Sequence, residues 1–254
     1  MNDISLMTFV IVCPLVFLAG FVDAIGGGGG LISLPAYIIA GLPTHLAIGT
    51  NKLSNCCGTA IATGRFIRNG MVNFRLGIPS IVAAIAGSYA GAALSVRGDE
   101  QIMQYVLLVI LPLTAVLVLN KKLFPAEESE RPLELTGRIY AVVCIAAFII
   151  GIYDGFYGPG TGTFLIVAFT VFGKMSTRHA NGQAKIINLT TNVTALVVFL
   201  LNGQVAVILG LAAAACNMLG AYIGSGLVME KGAGIVRPSV ILVLILLLVK
   251  IIMG

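Results

Sequence analysis

A twelve-residue pattern that occurs twice constrains this chain more than any other feature. Residues 44–55, THLAIGTNKLSN, and residues 177–188, TRHANGQAKIIN, both read T-x-x-A-x-G-x-x-K-x-x-N. Each copy has one lysine, Lys52 or Lys185, in an otherwise charge-poor stretch. The match continues at the same offset of 133 positions through F-x-x-N-G-x-V and then G-x-Y-x-G. The pattern therefore predicts that the chain consists of two duplicated halves.

Hydrophobic residues make up 58 % of the chain and charged residues only 10 %. Soluble domains average about 45–50 % and about 25 %. A soluble core does not need so much apolar surface, so the composition predicts an all-α polytopic membrane protein. The first apolar stretch has no basic region before it and no small-residue cleavage site, so we expect a retained span and not a signal peptide.

The two predicted repeats occupy residues 1–122 and 139–254, and a polar linker at 123–138 joins them. We expect about five helical segments in each repeat, and the second segment is short. The short segments, 31–42 and 164–172, follow glycine-rich breaks at 26–30 and 158–162. The longer predicted segments are 5–23, 44–66, 76–96 and 102–119, then 139–153, 177–201, 205–228 and 235–253.

The positive-inside rule indicates how the repeats are oriented. With ten segments, one side of the membrane holds eleven loop cations and the other holds Arg97 and Lys250. If the two short segments are re-entrant, eight segments cross the membrane, and the two sides then hold eight and five cations. The ten-segment count fits the rule better. Since five is odd, it predicts that the two repeats are inverted relative to each other.

Polar side chains follow each lysine on one helical face. Lys52, Asn55 and Thr59 are spaced i, i+3 and i+7, and Lys185, Asn188 and Asn192 repeat that spacing. A lysine at the centre of a membrane helix costs about 2.5–3.5 kcal/mol on insertion scales, so a compensating negative group is expected. We predict that the two stripes face one midplane cavity and bind an anionic substrate. The alternatives are a structural salt bridge from each lysine to Asp23 or Asp154, or a lysine that extends to the end of its helix.

The glycine breaks and the acidic residues beside them are further candidates. A helix N-terminus favours an anion, so Gly28, Gly30, Gly160 and Gly162 are predicted to contact the substrate through backbone N–H groups. The alternative is a tight turn without a ligand. The carboxylates that end the first span of each half are candidates for proton coupling, for pairing with the lysines or for helix capping. They are Asp23 and Asp154.

Tyr89 and Tyr222 lie inside the G-x-Y-x-G motifs and are candidates for lining the site; the alternative is packing. His45 and His179 do not align between the halves, and no Cys or His spacing of a metal site occurs. No ATP-binding loop or dinucleotide motif occurs either. We therefore expect no metal, no cofactor, no enzymatic activity and no nucleic-acid partner.

Together these motifs resemble the sulfite exporter TauE/SafE family of membrane transporters. The resemblance extends over about residues 8–252. It rests on G-x-x-D before each break (residues 20–23 and 151–154), on the lysine motif and on F-x-x-N-G-x-V. It implies a transporter in the plasma membrane for small anions, such as sulfite, sulfonates and related sulfur compounds. Accounts of the family often give fewer spans than the ten counted here.

The sequence thus predicts a secondary-type transporter of small anions that works by alternating access around a midplane site. The expected partners are the anionic substrate and the lipid bilayer, and a second copy of the chain in a homo-oligomer is a further candidate. The alternative function is a passive anion channel or pore. An intramembrane enzyme is disfavoured, since no nucleophile has a base nearby in the sequence.

Overall fold

A computed structural model describes residues 5–99 and 135–231. Within these ranges the chain forms helices and no strands. The predicted spans 102–119 and 235–253, and most of the predicted linker at 123–138, lie outside the described residues. The described helices are α1 (Leu6–Gly26), α2 (Gly30–Ile39), α3 (Thr44–Arg68), α4 (Phe74–Arg97), α5 (Gly137–Phe156), α6 (Thr161–Val171), α7 (Thr177–Leu201) and α8 (Val207–Lys231).

Five of the described helices, α1, α4, α5, α7 and α8, are long and apolar enough to cross a membrane. Helix α3 is equally long, with 25 residues, but it carries more polar side chains. Helices α2 and α6 have 10 and 11 residues. At about 1.5 Å per residue they are too short to cross a hydrocarbon core of about 30 Å. The protein is therefore an all-α, multi-pass membrane protein, as predicted.

Both glycine-rich breaks are present, and they are shorter than predicted. Gly26 is still the last residue of α1 and Gly30 is the first residue of α2, so the first break covers only 27–29. Gly27 ends α1 with a φ of 77°, a left-handed conformation that glycine adopts without a Cβ clash. In the second break Gly158 and Gly160 have φ values of 97° and 85°. The short helices consequently begin earlier than the sequence predicts.

The contacts of the two halves correspond to each other. Helix α1 of the first half packs on α8 of the second, and α5 packs on α4 in the same way. Helix α3 packs on α8, α7 packs on α4, and the two lysine helices α3 and α7 pack on each other at the centre. This is the arrangement that a duplicated chain predicts. The opposite membrane orientation of the halves remains a prediction.

Glycines allow the main chains of neighbouring helices to touch at the α4–α5 and α1–α8 contacts. A Cβ at Gly87 or Gly91 of α4 would overlap a backbone carbonyl of α5. A Cβ at Gly220 or Gly224 of α8 would overlap a carbonyl of α1. Small residues give this close packing in membranes, where helices gain little from burying apolar surface. The glycines of the two G-x-Y-x-G motifs therefore bring the main chains of neighbouring helices into contact.

Candidate functional site

The two glycine-rich breaks meet back to back. A Cβ at Gly162 would lie 2.5 Å from the Cα of Gly27, so only hydrogen fits at this contact. The Thr163 hydroxyl donates to the Gly26 carbonyl at 2.8 Å, which ties α6 to the end of α1. Gly30, the first residue of α2, faces Pro159. The N-termini of both short helices are therefore held at one point between the halves.

Lys52 of α3 forms a buried ion pair with Asp154 at the end of α5. The Lys52 Nζ lies 3.0 Å from Asp154 Oδ2, and both side chains are 2 % exposed. The ammonium also donates to the Asp154 carbonyl at 2.6 Å. The carbonyl groups in the last turn of a helix accept no hydrogen bond within the helix, so they can accept one from an ammonium group. One aspartate thus supplies both a charge and a backbone partner.

Lys185 of α7 repeats this arrangement with Asp23 at the end of α1. The Nζ–Oδ2 distance is 2.7 Å, and the ammonium also donates to the Asp23 carbonyl. Asp23 is 15 % exposed, so this pair is the more accessible one. Each lysine pairs with the aspartate of the other half. The pairing with carboxylates was one of the alternatives for these lysines, and the structure shows it.

Both carboxylates have a second donor. The Thr161 hydroxyl at the start of α6 donates to Asp154 Oδ1 at 2.6 Å, and the Gly29 N–H donates to Asp23 Oδ1 at 3.4 Å. Gly158 lies against the first ion pair, because a Cβ there would be 2.7 Å from both Lys52 Nζ and Asp154 Oδ1. The glycine breaks therefore make room for the ion pairs as well as for the turns.

A small polar cavity lies where the breaks and the lysine helices meet. Its volume is ≈ 10 Å³, about the space that one water molecule needs. Neither α2 nor α6 has a side chain that caps its N-terminus. The lining residues are Asp23, Gly27, Gly30, Asn51, Lys52, Asn55, Thr59, Asp154, Gly158, Gly160, Thr161, Gly162, Asn188 and Asn192.

The predicted site residues mostly come together in this cavity. Both polar stripes contribute residues to its lining, namely Asn55 and Thr59 from α3 and Asn188 and Asn192 from α7. Three of the four predicted glycines also line it, namely Gly30, Gly160 and Gly162, whereas Gly28 does not. Lys185 does not line the cavity. It forms an ion pair with Asp23, which does line it.

Tyr89 and Tyr222 do not lie at the cavity. Their side chains are 62 % and 59 % exposed on the outer surface of the described helices. Each tyrosine is two residues from the glycines of its motif, about 200° around the helix. Because those glycines face a neighbouring helix, the tyrosine faces away from it. The Tyr222 ring instead lies 4.3 Å from the Arg65 guanidinium.

The model of the family described as Sulfite exporter TauE/SafE matches residues 12–251. This chain belongs to the TauE/SafE family. A probable membrane transporter protein, ORF9, of Sinorhizobium sp is 34 % identical over 98 % of this chain and 94 % of its own. The probable membrane transporter protein YfcA of Escherichia coli (strain K12) is 35 % identical over 89 % and 82 %. No solved structure gives a significant match.

Other polar residues of this TauE/SafE protein complete the site, and the sequence motifs did not indicate them. Asn51 lines the cavity at 3 % exposure, and its Oδ1 has no hydrogen-bond partner among the residues that the structure describes. Asn217 of α8 donates to Asn55 Oδ1 at 3.0 Å. Asn192 in the other stripe donates to Asn188 Oδ1 at 2.7 Å. Asn217 is a lone amide in an apolar helix, which is a signal that the sequence does contain.

The cavity has the donors that an anion requires, and its cations are already neutralised. Lys52, several side-chain amides and the first residues of the two short helices line one volume, and groups of these kinds bind anions. The two lysines are matched by two aspartates, so the four charges sum to zero. An anion that enters must therefore compete with a carboxylate for an ammonium group.

Proposed function

We propose that this protein is a secondary-type transporter of small anions in the plasma membrane. The substrates are sulfite, organosulfonates or related sulfur compounds, and transport uses alternating access around a midplane site between two inverted repeats. The observation that supports this most is the convergence of both motif stripes and both short-helix N-termini on one polar cavity. The anion, the lipid bilayer and a further copy of the chain are its proposed partners.

The hydrogen-bond donors of the cavity support an oxyanion as the substrate class. The oxygens of a sulfite or sulfonate head group accept hydrogen bonds from Lys52, from the amides of Asn55 and Asn188 and from backbone N–H groups near Gly30 and Gly162. Charge-assisted bonds of this kind are about twice as strong as neutral ones. Lys185 binds the same anion after it leaves Asp23. The description of the family as sulfite exporters supports the choice of sulfur compounds.

The small volume of the cavity supports a transporter more than a passive pore. A pore needs a continuous path for water, whereas this conformation has room for about one water molecule. Access for a larger anion requires the two halves to move relative to each other, as alternating access does. The described residues that line the cavity are hydrogen-bonding and charged groups suited to binding an anion, so an enzymatic role is not proposed.

Transport into proteoliposomes tests the proposal. We expect saturable uptake of radiolabelled sulfite or methanesulfonate when a pH gradient or a voltage is applied. The double variant Lys52→Met/Asp154→Asn removes the ammonium without leaving its carboxylate unpaired, and it should abolish uptake. Lys174→Met, the same change on an exposed loop between α6 and α7, is the control and should transport normally.

The outcomes separate the two candidate functions. Uptake that rises linearly with concentration, together with large single-channel currents, would indicate a pore. Normal uptake by the Lys52→Met/Asp154→Asn variant would remove the cavity from the transport path. The absence of uptake of any sulfur oxyanion by the wild-type protein would overturn the substrate class.

A further inference from the structure

We propose that Asp23 and Asp154 take up protons when the cavity binds its substrate, so that one proton accompanies each negative charge of the anion. This inference rests on the proposed function and names its coupling ion. It follows from the way in which the structure neutralises the two lysines. The carboxylates occupy the place that the anion needs, and protonation is the way to release them without burying a net charge.

The charged side chains around the cavity balance one another. Lys52 and Lys185 bring two positive charges, and their partners Asp154 and Asp23 bring two negative charges. A monoanion added to this balanced set would leave one uncompensated negative charge in a buried place. The penalty for burying an unpaired ion is several kcal/mol, even after relaxation. One proton on either aspartate restores the balance.

The lysine ammonium groups already have close contacts with oxygen atoms. Lys52 Nζ contacts both the carboxylate and the carbonyl of Asp154, at 3.0 and 2.6 Å. An anion can take the place of the carboxylate only if the carboxylate loses its charge or moves away. A protonated carboxyl group loses its charge–charge attraction to the ammonium, and its O–H becomes a donor for the bound oxyanion. Proton and anion thus favour each other's binding.

The two carboxylates differ in how accessible they are to a proton from solution. Asp23 lines the cavity and is 15 % exposed, whereas Asp154 is 2 % exposed. Asp23 is therefore the carboxylate that a proton from solution reaches first. The Gly29 N–H that donates to it keeps its Oδ1 in place at 3.4 Å. A dianion, which needs two protons, would use both aspartates.

Other titratable groups near the ion pairs do not change the count. The short helices α2 and α6 have no charged residue. Among the described residues, the charged groups that line the cavity or pair with its lining are the four named above. The Cys56 thiol and the Tyr153 phenol also interact with the Lys52–Asp154 pair, and groups of these types are neutral near pH 7.

Isothermal titration calorimetry of the purified full chain with methanesulfonate tests the inference. This probe keeps its single charge across the whole pH range used. Titrations in buffers that differ in ionisation enthalpy give the number of protons taken up on binding. We expect about one proton per methanesulfonate, and a dissociation constant that rises about tenfold per pH unit, as proton linkage requires.

Removing one carboxylate should uncouple the proton. With Asp23→Asn the cavity carries one net positive charge, so methanesulfonate should bind with no proton uptake and with an affinity that does not change with pH. Asp154→Asn should do the same and serves if the first variant does not fold. Glu230→Gln neutralises an exposed carboxylate at the end of α8, and it should keep one proton and the pH dependence.

The possible results distinguish this inference from the proposed function. Wild-type protein that binds methanesulfonate or sulfite without proton uptake overturns the proton coupling and leaves the anion transporter in place. Proton uptake that persists in both Asp→Asn variants also overturns it, because another group then carries the proton. Wild-type protein that binds neither probe overturns the proposed function and the coupling together.

Discussion

The Lys52 ammonium and the Asp154 carboxylate lie 3.0 Å apart although 102 positions separate them in the chain. The lysine belongs to the first half and the aspartate to the second. Lys185 and Asp23 make the reciprocal connection, at 2.7 Å. Two buried ion pairs therefore join the halves at the place where the glycine breaks also touch. We therefore expect the stability of the fold and anion binding by the cavity to depend on the same four side chains.

The first prediction concerns the cost of breaking one pair. Lys52→Met leaves Asp154 buried without its cation, and removing one partner of a buried ion pair costs about 3–5 kcal/mol. The double variant Lys52→Met/Asp154→Asn leaves no stranded charge, so it should recover most of that loss. Thermal unfolding in detergent measures both variants. A double variant that is as unstable as the single variant would show that the aspartate is not stranded by the mutation.

The second prediction concerns the contact between the two breaks. Gly162→Ala places a Cβ 2.5 Å from the Gly27 Cα, which neither main chain can avoid without moving. Overpacking of this kind typically costs about 1–3 kcal/mol. The control is Gly64→Ala in α3, where nothing lies within 4 Å of the added Cβ. The control should be neutral or stabilising, since alanine favours helix. Equal melting temperatures of the two variants would contradict the close contact.

The helices were predictable because the periodicity and the breaks are strong signals. Helix α7 begins and ends at the predicted residues 177 and 201, and most other ends differ by a few residues. The duplication predicts that every contact made by one half has a counterpart, and the packing of α1 on α8 and of α5 on α4 agrees. The polar stripe of Lys52, Asn55 and Thr59 follows from spacing alone, and all three residues line the cavity.

The partners of the lysines were not predictable, because they depend on how the halves pack. The sequence left open whether Lys52 pairs with a carboxylate at all, and only the structure selects Asp154. Asn51 and Asn217 were missed for a different reason. Their equivalents in the other half are alanines at positions 184 and 84, so a search for repeated residues passes over them. Repetition, conversely, suggested a lining role for Tyr222, which faces outward.

The third prediction concerns Asn217, which supports the amide stripe from outside. Its Nδ2 donates to Asn55 Oδ1 at 3.0 Å, and both Gly20 and Gly58 lie against it. Asn217→Ala leaves the Asn55 oxygen without this donor and creates a small void, so we expect a loss of about 1–3 kcal/mol. Met218→Ala, at the next, more exposed position, should have a smaller effect. A larger effect at Met218 would contradict the supporting role of Asn217.

The fourth prediction assigns Tyr222 a role at the surface. The Arg65 guanidinium lies 4.3 Å from the centre of its ring and also donates to the Tyr222 carbonyl. A cation–π contact at an exposed site contributes about 0.5–1 kcal/mol. Tyr222→Leu should therefore lower stability by about that amount, and Arg65→Gln by somewhat more, because it also loses the hydrogen bond. Tyr222→Phe keeps the ring and should be close to wild type. A double-mutant cycle measured by unfolding checks this contact. Tyr222→Leu and Arg65→Gln should show a coupling energy as large as the cation–π contribution. Strictly additive effects would mean that the ring and the guanidinium do not interact.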